Sequence, residues 1–150
     1  MTMTDDYTTL YTSSQLGHLE AAKILFEEGA AVKYINKVGN TRPMWAAYYG
    51  KLEIFNYFTK ISPYNNIQNA IKNTALHLAA DSSSVGIIKL LLDKEMSANL
   101  TNTVDSTLLY VSAQFSRLKA TKYLFEEGAA INNTNKYAFT PLMSGTYDGN

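Results

Sequence analysis

The stretch Asn73-Thr74-Ala75-Leu76-His77-Leu78-Ala79-Ala80 reads as the opening of a helix, with a hydroxyl side chain at the N-cap followed by a run of mostly good helix formers. Thr74 has counterparts at steps of 33 residues along the chain, at Thr8, Thr41, Thr107 and Thr140. A fixed period of that size across 150 residues means stacked supersecondary units, each burying its apolar face against its neighbours, rather than one globular core.

Other residues keep the same register. Five positions after each threonine stands something small, Ser13, Ala46, Ala79, Ser112 and Gly145, which lets helices approach closely. The first helix is expected to end near Gly17, Gly50, Ser83, Ser116 and Gly149. A second, more apolar helix follows in the complete units, with Leu19, Ala22, Leu25 and Phe26 in the first and Ile87, Ile88, Leu91 and Leu92 in the third. Gly29 and Gly128 supply a left-handed closing position, and the Asn-rich segments after them suit hairpin turns. The units run 3–35, 36–68, 69–101 and 102–134, with a partial fifth at 135–150, making a single domain over 3–150 behind a short polar tail, 1–2. The fifth lacks a second helix, so the array is expected to be truncated.

Thr74-Ala75-Leu76-His77-Leu78-Ala79 is one residue from Thr-Pro-Leu-His-x-Ala, and in motif and period the chain resembles the ankyrin-repeat family over nearly its whole length. The resemblance implies an all-α solenoid of stacked helix-turn-helix units joined by hairpin loops. It implies that His77 bridges neighbouring turns, and that His18 belongs to a structural Gly-His pair. Departures from the family pattern mark particular places. The glycine before the threonine survives only as Gly39, with Lys72 and Ala138 among its replacements, and those turns are expected to be locally altered. Glu95 and Met96 replace a closing Gly-Ala pair, leaving the end of that helix open. Pro43, Thr59 and Pro63 make the second unit the weakest match.

Composition narrows the function. Thirteen basic and thirteen acidic residues balance, and no basic run supplies the electrostatic term that nucleic-acid binding or adhesion to anionic lipid requires. There is no cysteine, no signal peptide and no apolar run long enough to span a bilayer, which points to a cytoplasmic or otherwise intracellular protein. The two histidines, His18 and His77, occupy non-equivalent places too far apart to share a metal. Glu27-Glu28 and Glu126-Glu127 are adjacent on helices and point about 100° apart, as a solvated surface does. No catalytic residue, cofactor or metal site is expected, and the chain is read as a monomer that is not an enzyme.

The resemblance implies a scaffold that binds a partner protein on the concave face of the array. The alternative is a passive spacer, or a fragment of a longer ankyrin-repeat protein whose activity lies outside residues 1–150. In the family, partners touch the hairpin tip and exposed positions seven and eight after the threonine. Carried onto this chain, those places include Tyr7, Leu16, Val38, Asn40, Tyr48, Tyr49, Ile71, Asn73, Asp81, Val104, Gln114, Phe115, Tyr137, Phe139 and Tyr147, with Gln15, Ser82, Ser106 and Asp148 beside them. Several are aromatic although the repeat's core does not require it, and tyrosine is enriched in binding hot spots. The competing role for these rings is packing against the adjoining repeat.

Overall fold

A computed structural model describes residues 18–27, 37–61 and 66–147, the side chains of Leu25, Phe26 and Tyr147 excepted. Among these residues there are eight α-helices and no β-strand: α1 (Leu19–Glu27), α2 (Arg42–Tyr48), α3 (Leu52–Ile61), α4 (Ala75–Ser82), α5 (Val85–Leu92), α6 (Leu108–Gln114), α7 (Leu118–Glu126) and α8 (Pro141–Tyr147). The starts of α2, α4, α6 and α8 are 33 residues apart, as are those of α3, α5 and α7. This is the all-α, helix-turn-helix repeat expected from the sequence.

Threonine starts the first helix of each pair, but not always in the same way. The hydroxyl oxygens of Thr41, Thr107 and Thr140 accept from the backbone N–H groups of Met44, Tyr110 and Met143 at 3.4, 3.2 and 3.2 Å. Such caps stabilise a helix by about 1 kcal/mol. Pro43 and Pro141 lie in first turns, where the missing N–H has no intrahelical partner to lose.

The first helices α2, α4, α6 and α8 pack side by side in one row, and α1, α3, α5 and α7 form a second row behind them. Small side chains make the first row possible: Ala46, Ala79 and Ser112 are fully buried, and a Cβ on Gly145 would stand 3.6 Å from the Ala113 carbonyl oxygen. Ser112 satisfies its buried hydroxyl by donating to the Leu109 carbonyl at 3.1 Å and accepting from Thr121 at 3.0 Å. The second row is buried at a matching period, through Ile54 and Phe58, Ile87 and Leu91, Ala120 and Leu124. Each large side chain so removed from water contributes roughly 1.5–3 kcal/mol. Thr59 does put a hydroxyl into this core, where it donates to the Asn56 carbonyl at 3.2 Å.

Left-handed backbone also recurs in register, whatever residue occupies it. Hairpin tips use Gly39, Lys72, Asp105 and Ala138; first helices close at Gly50, Ser83 and Ser116; second helices close at Glu95 and Gly128. Lys72 and Ala138 do not alter their turns, contrary to the expectation from sequence: φ is +57° and +62°, against +80° at Gly39. The reason is hydrogen bonding, since Lys72 N–H and Ala138 N–H each donate to the carbonyl of the tip asparagine, Asn69 or Asn135, at 2.9 Å. The same logic fixes the end of α5. Glu95 and Met96 donate to Leu92 and Leu91 as Gly128 and Ala129 donate to Phe125 and Leu124.

Candidate functional site

The hairpin tips at Lys72, Asp105 and Ala138 are each built on one asparagine. Asn69 Oδ1 accepts from the backbone of Ile71 and Asn73 at 3.0 and 2.9 Å, Asn102 Oδ1 from Val104 and Ser106 at 3.0 and 3.1 Å, and Asn135 Oδ1 from Tyr137 and Phe139 at 3.0 Å each. The amide then reaches to the preceding hairpin, with Asn69 Nδ2 donating to Asn40 Oδ1 at 2.8 Å and Asn102 Nδ2 to Asn73 Oδ1 at 3.1 Å. Main-chain bonds run beside them: Ala70 N–H to the Val38 carbonyl, Thr103 to Ile71 and Lys136 to Val104, at 3.0–3.1 Å. The tips are thereby tied into one continuous strip.

Val38, Ile71, Val104 and Tyr137 hold the same place in successive tips. The carbonyls of the first three are engaged in the strip, so their backbones are fixed, while the side chains of Val38, Ile71 and Tyr137 are exposed and that of Val104 is half-buried. A preformed apolar row of this kind costs little ordering on binding. Lys136 Nζ lies 5.0 Å from the centre of the Tyr137 ring, within cation–π range.

Beside the tips, α2 and its C-cap residue carry three packed rings. Trp45 stacks on Tyr49 at 5.8 Å and 21°, and Tyr48 meets both edge-on, at 5.8 Å from Trp45 and 5.2 Å from Tyr49. Both tyrosines are half-buried, Tyr48 partly against the core, so part of the alternative role of these rings in packing is realised there. Two pairs further on, Phe115 is exposed at the place equivalent to Tyr49. Between them Asp81 is half-buried; burial pushes its carboxyl up from the usual carboxylate range, opposed by the charge of Arg117, whose Nε donates to the Asp81 carbonyl.

His77 ties the strip to the helices. Its Nδ1 accepts from the Thr74 backbone N–H at 3.3 Å and faces the Thr74 hydroxyl at 3.1 Å, which places the ring proton on Nε2. Nε2 makes no hydrogen bond of full geometry, although the Ser106 and Leu100 backbones of the next hairpin act on the ring. Burial dominates and pushes the imidazole down to about 4, with those backbone groups pulling the other way. A ring neutral throughout the physiological range and closed off from solvent is a structural link.

Of the other residues expected at a binding face, Phe139 is exposed and Gln114 half-buried, while Asn40 is buried and Asn73 half-buried, both engaged in the amide ladder. Ser106 is buried and Ser82 half-buried. Tyr7, Gln15, Leu16 and Asp148, and the side chain of Tyr147, lie outside the described residues. Trp45 and the ladder asparagines Asn69, Asn102 and Asn135 join the site without having been singled out in the sequence; the recurrence of asparagine every 33 residues was the available signal. Among the described residues no three His, Asp or Glu side chains gather as a metal site would need, and no helix is long and apolar enough to cross a membrane.

A family model of ankyrin repeats, in three copies, matches residues 43–135. The chain belongs to the ankyrin-repeat family. Ankyrin repeats generally mediate protein–protein interaction and are a non-enzymatic type of module. No curated protein matches the sequence.

Proposed function

We propose that the chain is a non-catalytic scaffold that binds a partner protein through its hairpin tips and the adjoining face of the first helices, concave in this family. The observation that carries the reading is the row Val38, Ile71, Val104 and Tyr137, the first three backbone-fixed by hydrogen bonds between hairpins, with the side chains of Val38, Ile71 and Tyr137 exposed to solvent. Nothing in the packing of the repeats requires those side chains to be apolar. The rings of Tyr48, Tyr49 and Phe115 extend the surface and supply large, stiff contact area.

The test is affinity capture from cell extract with the intact chain, compared with a variant carrying Val38→Asp, Ile71→Asp and Tyr137→Asp, and with Phe115→Ala alone. Proteins retained by the parent and lost from the triple variant, at unchanged melting temperature, support the reading. Phe115→Ala is expected to weaken the interaction by about 1–2 kcal/mol if that ring is a hot spot. Identical capture by parent and triple variant would overturn the proposal and favour a passive spacer.

A further inference from the structure

The hairpin tips, residues 37–40, 70–73, 103–106 and 136–139, carry one charge each: Lys37, Lys72, Asp105 and Lys136. Each of these is next in sequence to a member of the apolar row, Val38, Ile71, Val104 and Tyr137. All four charged side chains are exposed. The lysines are far apart along the chain, so no basic run announces them, and it is the stacking of hairpins that gathers them. The strip is therefore net positive, on a chain whose thirteen basic and thirteen acidic residues balance.

These cations are not consumed within the fold. Among the described residues the ion pairs are Lys23 with Glu20 and Lys122 with Glu126, all of them on second-row helices. Lys136 lies over the Tyr137 ring, a contact that holds the ammonium beside the apolar row without using its N–H donors. On the adjoining helix face the charges of Asp81 and Arg117 oppose each other. The excess at the tips is left for something outside the repeat.

The spacing of the tips defines what lies along them. Neighbouring helices pack about 8–10 Å apart, and main-chain bonds from Ala70 to Val38, Thr103 to Ile71 and Lys136 to Val104 keep the tips in step with the helices. A polyproline-II chain advances about 9 Å in each three-residue turn. Every third side chain of such a segment meets one tip, and the residue beside it meets the flanking charge.

Resting on the tip-binding reading above, we propose that the occupant of the strip is an extended acidic segment of the partner protein, with an apolar side chain at every third residue and carboxylates opposite Lys37, Lys72 and Lys136. Asp105 repels a carboxylate at the third tip, which fixes the register and direction of the segment. The apolar row supplies affinity, while the charges select the partner and speed the encounter. Nucleic acid fits less well, because Asp105 stands among the lysines and a phosphate backbone offers nothing apolar to Val38 and Ile71.

The probe is a fluorescent peptide of four Leu-Asp-Ser triplets, titrated into the intact chain by anisotropy beside the same peptide with asparagine in place of aspartate. Saturable binding of the acidic peptide is expected, weaker by about tenfold on a variant carrying Lys37→Glu, Lys72→Glu and Lys136→Glu and tighter by about twofold on Asp105→Asn. Because all four side chains are exposed, melting temperature should stay constant in both variants. Absence of saturable binding, or equal binding of the acidic and neutral peptides, would overturn the proposal. So would tighter binding of a polyuridylate of similar length, because the occupant would then be nucleic acid. Capture from extract separates this inference from the reading beneath it. A protein lost from the Val38→Asp, Ile71→Asp, Tyr137→Asp variant but retained by the lysine variant would leave the tips as the binding face and overturn the acidic occupant alone; identical capture by parent and both variants would overturn the two together.

Discussion

Leu109 and Leu142 occupy the same position in successive first helices of equal length and differ almost completely in burial: Leu109 is 3% exposed and Leu142 76%. Neither helix propensity nor local pattern accounts for the difference. What separates them is whether a further second-row helix lies alongside, as α7 does for Leu109. In a solenoid the stabilising energy resides in interfaces between neighbours, so a residue's contribution is set by its place in the stack.

The largest test of that contrast is truncation at both leucines. Leu109→Ala should cost roughly 2–4 kcal/mol in chemical denaturation, by lost burial and a residual cavity. Leu142→Ala should cost less than about 0.5 kcal/mol. Equal losses at the two sites would mean that the end of the stack is covered in solution.

A titration sharpens the interior half of the comparison. His77 sits about 4 in the fold against 6.5 for a free imidazole, so the folded state favours the neutral ring. Its stabilisation is complete above pH 6.5, is lost as pH falls from 6.5 to 4 while only the unfolded chain takes up the proton, and levels off below 4, by when about 3 kcal/mol has gone. Asp81 works in the opposite sense, since its raised carboxyl takes up a proton sooner in the fold than in the unfolded chain. Denaturation at pH 7 and pH 4.5 should therefore show a steep fall that His77→Gln flattens; the same slope in parent and variant would remove His77 from the account.

Smaller effects belong to the left-handed positions. Lys72→Gly and Ala138→Gly should each stabilise by about 0.5–1 kcal/mol, because glycine meets φ near +60° without a Cβ penalty that exceeds its extra chain entropy. Gly39→Ala should do the reverse, as its Cβ would stand 3.1 Å from the Ala70 nitrogen. Smallest is a difference between two second-row helices. Hydrogen exchange should open α3 around Ile54–Phe58 before α5 around Ile87–Leu91, by roughly 1 kcal/mol, since α3 carries Thr59 in its buried face and follows a first helix with Pro43. Identical protection would deny the second unit its weakness.

The stack was legible in the sequence because one signal, a 33-residue step, carries both the helix starts and the buried faces: Thr74 with its counterparts marks the caps, and Ile87 and Leu91 mark the core. The tips were legible only as polar, Asn-rich connections. Their ladder joins residues 29 apart in the chain, such as Asn69 and Asn40, and a contact between units leaves no local pattern to read. Local propensity misled at Lys72 and Ala138, where the tip asparagines hold a conformation that those residues would not choose alone. At Trp45 the difficulty was different. Four residues past its cap, it has buried counterparts in Leu78 and Val111, and what sets it apart from them is its stacking on Tyr49.

The central claim, that a partner is met by the tips and not by the back of the stack, is tested most directly by site-specific photo-crosslinking. A photoreactive amino acid placed at Ile71 is compared in cells with the same group at Lys89, an exposed position on α5. The account predicts a discrete protein adduct from position 71 and none from position 89. Adducts from position 89 alone, or the same adducts from both positions, would contradict it.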